Sequence, residues 1–409
     1  MQSTRTPRRS SATLTAAPAG PAPITMHSYS PLRMLVRTVP GNVFEGSMTP
    51  LLTIAPPTHE LSRHTLDCAG GFLWWYADML DQHGNGMVLI WSFGLPFLPG
   101  YAAAARAGRG EAPADRPSLN VSIYERGRLV FYLLQELDPG DAEWTTDGWR
   151  FGDSVITSEE RDGVRALTAT LSCPIPASDQ WLRGTFSVRG TARRARPEDG
   201  IRGIHDWSPL VALGHGAADL RAGNIAYRVS GRAYHDCNAG SQPLHEAGIR
   251  AWSWGRVPRG EEERIYYVLW GESGAPEGHG VTIGADGSLD VLRLEARVTG
   301  RRLGVAGLRH PRRIELFDRD AGGAPWLVAT VASILDDGPF YTRHFIRDDT
   351  NVAGLAEYCR TDLIDLAIHR PLVRMRVHRT HEKNSMWLPL FSGPRPGRLR
   401  RLLGQFGAT

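Results

Sequence analysis

Gly231-Arg232-Ala233-Tyr234-His235-Asp236-Cys237-Asn238-Ala239-Gly240 decides the reading of this chain. Tyr234, Asp236 and Asn238 are spaced two apart, and on a β-strand such residues share one face. His235 and Cys237 then face the other way. An earlier stretch, Gly203-Ile204-His205-Asp206-Trp207-Ser208-Pro209, spaces His205 and Trp207 in the same manner. Two strands of this kind aim a carboxyl, an imidazole, an indole and a phenol at one cavity. An acid lined by aromatic rings suits a reaction that makes a carbocation from an apolar substrate. Either motif alone is an ordinary packing feature. Their joint appearance, with glycine on both sides of the second, carries the reading.

The chain on either side also reads as β. Strands are expected over 72–78, 87–93, 119–124, 128–135, 164–172, 181–189, 224–236, 249–256, 264–271, 312–316, 326–334 and 372–378. His83-Gly84-Asn85-Gly86 and Glu125-Arg126-Gly127 supply turns between them. Short helices are expected only at 101–107 and 361–368. This density of strands predicts β-barrel or sandwich domains. Gly214, Gly216, Ala217 and Ala218 interrupt the pattern, which places an N-terminal β domain at 60–210 and a C-terminal one at 220–385. Residues 1–45 read as a disordered tail, with Met26 or Met34 as alternative starts. Residues 392–409 read as a basic amphipathic tail suited to an anionic bilayer surface.

Composition narrows the function. The chain has 409 residues, 42% hydrophobic and 22% charged, ordinary for a globular protein. A net charge of +4 argues against a large nucleic-acid footprint. Cys68, Cys173, Cys237 and Cys359 form no CxxC, so they read as reduced thiols of a cytoplasmic protein. No run reaches the ~20 apolar residues of a membrane-spanning helix. A GxSxG elbow, a P-loop, an HExxH and a dinucleotide fingerprint are all missing. His378 and His381 are near each other in sequence but lack a third ligand at a convincing spacing. No metal and no cofactor are expected.

Asp236 is the expected acid. Burial among aromatic groups raises a carboxyl pKa because desolvation disfavours its charged form. A carboxyl kept protonated can protonate a trisubstituted alkene and leave a tertiary cation. The ring faces of Trp207 and Tyr234 are expected to shield that cation. His205 is expected to assist an attacking water, with Asn238 positioning it. Trp74 with Tyr76, Trp91 with Phe93, and Trp252 with Trp254 alternate at strand spacing and are expected to line a long apolar pocket. Asp206 and His235 are reserve candidates on the opposite faces.

These residues resemble the carotenoid 1,2-hydratase (hydroxyneurosporene synthase) family. The resemblance runs from about Gly70 to Pro394. Besides the two central motifs it rests on Gly71-Phe72-Leu73-Trp74-Trp75-Tyr76-Ala77-Asp78, Ser118-Leu119-Asn120-Val121-Ser122-Ile123-Tyr124, Pro339-Phe340-Tyr341-Thr342-Arg343 and Asn384-Ser385-Met386-Trp387-Leu388-Pro389-Leu390-Phe391. It implies an all-β fold of two lipocalin-like (calycin-type) domains packed together, with the site where they meet. It implies cofactor-independent hydration of the terminal C1=C2 bond of an acyclic carotenoid of the neurosporene or lycopene type, giving a 1-hydroxycarotenoid. By the family's pattern the functional positions fall on His205, Trp207, Tyr234 and Asp236. Asp206 stands where a basic residue is common in that family. The expected partners are a hydrophobic small molecule, water and the inner face of the cytoplasmic membrane as a peripheral contact. The residues alone leave two alternatives: an isomerase or cyclase of the same fold acting on another terpenoid or polyketide-like lipid, or a lipid-binding protein without catalysis. A long tunnel ending at Asp236 favours the carotenoid, and a closed round pocket favours a compact substrate.

Overall fold

The computed structural model describes residues 50–61, 63–272, 276–395 and 398–399. The 1–45 tail and most of the 392–409 tail lie outside these residues. Twelve strands precede Ala251: β1 (Thr53–Ile54), β2 (Phe72–Leu80), β3 (Gly86–Phe93), β4 (Pro117–Glu125), β5 (Arg128–Glu136), β6 (Ala142–Thr145), β7 (Gly148–Phe151), β8 (Ser154–Arg161), β9 (Val164–Pro174), β10 (Trp181–Thr191), β11 (Asp206–Ala222) and β12 (Ile225–Gly240). They form one curled sheet in the order β5-β4-β3-β2-β12-β11-β10-β9-β8-β7-β6, with β1 parallel to β11. The chain then builds a closed barrel from β13 (Ala251–Arg259), β14 (Glu262–Trp270), β15 (Pro276–Gly284), β16 (Leu289–Leu303), β17 (Arg309–Asp318), β18 (Leu327–Asp337), β19 (Tyr341–Arg347) and β20 (Ala353–Arg360). It returns to the first sheet through β21 (Val377–Arg379), parallel to β5, and β22 (Gly393–Pro394). The helices are short: α1 (Tyr101–Arg106), α2 (His369–Arg374) and α3 (Leu388–Phe391).

The apolar run in β2 follows from burial on both sides. Leu73, Trp75, Ala77 and Met79 enter the core of the first sheet, while Phe72, Tyr76 and Leu80 enter a second core against the barrel. β12 divides the same way, with Ala233, Cys237 and Ala239 on one side and Tyr234 on the other. The barrel wall also serves two cores. Trp252, Trp254, Ile265 and Tyr267 face the sheet, while Val257, Tyr266, Leu294, Ile314, Leu327 and Ile346 form a third cluster. That third cluster draws on seven of the eight barrel strands, all but β15, and packs the barrel interior. Each fully buried large apolar side chain contributes roughly 1.5–3 kcal/mol.

Several local expectations differ from the structure. The stretch 210–221 lies inside β11 and is no linker; the chain leaves the first sheet only after Gly240. Gly216 is there for close packing, since a Cβ would stand 2.8 Å from the Cβ of Met79. The expected helix at 361–368 begins with a 3-10 turn, Thr361–Leu363, and of the strand expected at 372–378 the first three residues lie in α2 and only Val377 and His378 in β21. Short apolar runs do not distinguish helix from strand by period alone.

Sheet and barrel are joined by a buried ion cluster. Arg256 on β13 pairs with Asp78 on β2, and its Nη1 donates to Glu263 Oε1 on β14 at 2.8 Å. A register shift in β11 puts Leu213 at φ 53 and turns its N–H toward Glu263 Oε2, 3.3 Å away. All three charged side chains are nearly inaccessible to water. Arg256→Met strands two carboxylates, so a loss of about 3–5 kcal/mol is expected. Thermal and denaturant unfolding will read it. Replacing the whole cluster (Arg256→Met with Asp78→Leu and Glu263→Met) is expected to recover much of that loss.

Candidate active site

Antiparallel register builds the site. Asp236 pairs with Tyr76 and Asn238 with Trp74, so these four side chains emerge side by side on the face turned to the barrel. Tyr76 and Trp74 pair in turn with Ile90 and Ser92 on β3. Trp254 of β13 pairs with Glu357 of β20 and with Tyr267 of β14, which brings these residues onto the facing wall. Between the two walls lies a cavity of about 1370 Å³, counting space open to solvent, lined by all of these residues and by Trp252 and His205. On the sheet side its lining passes from β12 through β2, β3, β4 and β5 to Val377 on β21. Five strand spacings make this a trench about 24 Å long, measured along the curl. Asp236 lies at one end.

Asp236 is 3% exposed and accepts three hydrogen bonds on its two oxygens. Trp207 Nε1 and Tyr234 Oη donate to Oδ2 at 2.9 and 2.8 Å, and Asn238 Nδ2 donates to Oδ1 at 2.9 Å. Burial pushes its pKa up to about 7; the Trp207 and Tyr234 donors act in the opposite direction, and burial wins. Asn238 Oδ1 lies 3.1 Å from His205 Nε2. Because the Asn238 amide nitrogen is committed to Asp236, its oxygen meets His205, and the network assigns the proton of His205 to Nε2. His205 Nδ1 is then a lone-pair acceptor. It is buried and has no hydrogen-bond partner among the described residues, as is also true of Tyr76 Oη and Trp254 Nε1 on the same cavity. Burial lowers the His205 pKa to about 4, so the ring is neutral at pH 7.

The expected residues separate into three groups. Asp236, His205, Asn238, Trp74, Tyr76, Trp252 and Trp254 all line the cavity. Trp207 and Tyr234 were expected to face a cation, but both point their polar atoms at Asp236 Oδ2 from behind, and neither lines the cavity. Trp91 lies on the wrong face. It pairs with Trp75, so it packs in the core of the first sheet, 5.7 Å from the His235 ring. Among the reserves, Asp206 accepts the backbone N–H of Arg202 and Gly203 and shapes the turn before β11. His235 is buried on the opposite face with Nε2 2.9 Å from His59 Nε2, and burial lowers its pKa to about 3.

Tyr267 was missed by the sequence reading. Its ring stands edge-on 5.1 Å from Trp207 and 5.6 Å from His205. The signal was only a Tyr-Tyr pair in an expected strand, and nothing local says which of the two faces the cavity. Glu357 and Arg343 were missed too. Arg343 Nε donates to Glu357 Oε1 at 2.8 Å, and both line the cavity. His381 meets Asp138 and Asp141 on the surface, outside the cavity lining.

Comparison with known proteins gives this site a family. Residues 89–386 match the model of the carotenoid hydratase CrtC family. An acyclic carotenoid 1,2-hydratase of Thiocapsa roseopersicina is 29% identical over 312 residues, covering 73% of this chain and 69% of that one. A hydroxyneurosporene dehydrogenase of Chlorobaculum tepidum is 27% identical over 376 residues, covering 82% and 95%. The crystal structure of an AttH-type protein of Nitrosomonas europaea superposes with a TM-score of 0.50 at 12% identity, over 76% of this chain and 99% of that one, which shows the shared fold. The fold is thus the all-β arrangement of two lipocalin-like halves, and the family match covers well over half of the sequence. The chain belongs to the carotenoid hydratase CrtC family and is a hydro-lyase.

Proposed function

We propose that this hydratase adds water across the terminal C1=C2 bond of an acyclic carotenoid, with Asp236 as the acid. The observation that carries the reading is a carboxyl buried at the end of a long aromatic trench, with a pKa raised to about 7. Asp236 delivers its proton to C2. The tertiary cation at C1 then faces Trp254, Tyr267 and Tyr76, whose ring quadrupoles stabilise it in the absence of bulk water. Trp207 and Tyr234 act on the acid instead. Their donors stabilise the carboxylate that forms as the proton leaves, which is where charge develops. A water hydrogen-bonded to His205 Nδ1 attacks C1, and the neutral ring takes its surplus proton. Solvent exchange then reprotonates Asp236 and frees His205. The trench shape supports a long substrate over a compact one, because a cyclising substrate needs a closed round pocket.

Four results are expected. Wild type with lycopene or neurosporene in detergent will give a 1-hydroxy product carrying oxygen from labelled water, and Asp236→Asn will give none. Equal product from Asp236→Asn would reject Asp236 as the acid. Turnover will fall as pH rises above about 7, because the active form is the protonated one. Tyr234→Phe removes a donor that lowers this pKa, so the alkaline limb will move to higher pH while turnover drops roughly 10²-fold. The same titration affects stability. Between 3.8 and about 7 the folded carboxyl keeps a proton that the unfolded chain has released, so the fold loses stability as pH rises through that window. Asp236→Asn will flatten that part of the Tm profile.

A further inference from the structure

We infer that α2 and the turns flanking it form a membrane-docking surface, through which the cavity takes a hydrocarbon directly from an anionic bilayer. Leu366, Ile368, Leu372, Met386 and Trp387 are five of the twelve large apolar side chains exposed among the described residues, and all fall within 366–387. Ile368 is 71% exposed. A buried core explains none of them, and such clustering on a surface marks an interaction site. Arg374 at the end of α2 reaches Glu382 at 3.4 Å, so the chain around α2 and the chain leading to Trp387 are neighbours.

Two further observations choose the occupant. The first is charge. Residues 361–399 hold seven Arg or Lys against three Asp or Glu; Arg374, Arg376 and Arg379 are taken up by Glu382, Asp336 and Glu136, so the positive charge offered to solvent beside α2 comes from Arg370 and Lys383. Arg370 and Lys383 are exposed beside the apolar side chains. Basic residues around exposed Leu, Ile and Trp complement anionic headgroups above acyl chains. The second is position. Val373 lines the cavity while its neighbour Leu372 faces solvent, so one turn of helix has the cavity on one side and the outside on the other. The segment also abuts the loop that carries Phe97 and Leu98 of the lining, through Gly100 N–H donating to Asp365 Oδ1 at 2.7 Å. No helix among the described residues is long and apolar enough to cross a membrane. The cargo rests on the proposed carotenoid reading; the docking surface does not.

The test is flotation of the full chain with carotenoid-free vesicles, either pure phosphatidylcholine or phosphatidylcholine with phosphatidylglycerol in equal parts. Wild type is expected to float with the anionic vesicles, and less so in high salt. Ile368→Ser/Leu372→Ser/Trp387→Ser is expected to cut the bound fraction on the order of tenfold. None of these three side chains lines the cavity. The triple variant should therefore hydrate detergent-dispersed carotenoid at the wild-type rate yet fail with carotenoid held in vesicles. Wild type that stays at the bottom of the gradient, or a triple variant that floats like wild type, overturns the docking surface. Flotation by wild type without hydration in detergent overturns the carotenoid reading and leaves the docking surface standing.

Discussion

Three full charges meet out of reach of water where the barrel crosses the sheet, and the cavity depends on that meeting. Arg256 must satisfy Asp78 and Glu263 together, because an unpaired buried charge costs several kcal/mol. Asp78 shares a face of β2 with Trp74 and Tyr76, and Arg256 shares a face of β13 with Trp252 and Trp254. Fixing the ion pair therefore fixes which two aromatic rows oppose each other. A slip of one residue on either strand would send the aromatic row to the far face and strand the charges at once. The bulge at Leu213 belongs to the same device, since it spends a ladder N–H on Glu263. Stability and cavity geometry thus rest on one contact.

The proposed acid, Asp236, is tuned by two effects of opposite sign. Burial alone would hold the proton too firmly for easy transfer. Donors alone would leave the carboxyl ionised at neutral pH. Asp236 has both, and its pKa comes to rest at about 7, where a general acid working at neutral pH combines the right protonation state with a strong drive to transfer. This gives Trp207 and Tyr234 a task that their aromatic character does not advertise. Their polar atoms matter, and their rings serve mainly as packing around the carboxyl. The rings available to a cation on the proposed reading are Trp254 and Tyr267, supplied by the barrel, and Tyr76, supplied by β2.

What the sequence reveals is what strand alternation controls locally. Tyr234, Asp236 and Asn238 share a face, as do Trp74 with Tyr76 and Trp252 with Trp254, because two-residue spacing needs no tertiary information. Trp91 shows the limit. Its own strand does not say which face meets the barrel; that follows from pairing with Trp75, a matter of register between strands. The Arg256–Asp78 pair joins residues 178 apart and leaves no local trace. Gly214 and Gly216 read as a break because glycine interrupts many strands, yet in β11 they admit close neighbours. Near α2 the apolar spacing suits strand or helix, and docking against the cavity decides.

A closed eight-stranded barrel has an interior that side chains just fill, and here they do fill it. A rigid hydrocarbon longer than the barrel is wide has no place inside. The outer face of the barrel, set against a curled sheet, offers length instead, because each added strand extends the trench by about 4.8 Å. Length alone would allow reaction anywhere along a polyene, so the lining must confine the proton. Burial holds the Tyr76, Tyr267 and Tyr341 hydroxyls well above their ordinary pKa and Tyr132 up at about 12, so the phenols keep their protons. Arg343 and Arg376 are paired with Glu357 and Asp336, which fixes their charges. Asp236 can exchange a proton near neutrality, and it sits at the end of the trench. On the proposed reading, the position of one tuned carboxyl selects the terminal double bond, because the groups along the rest of the trench keep their protons.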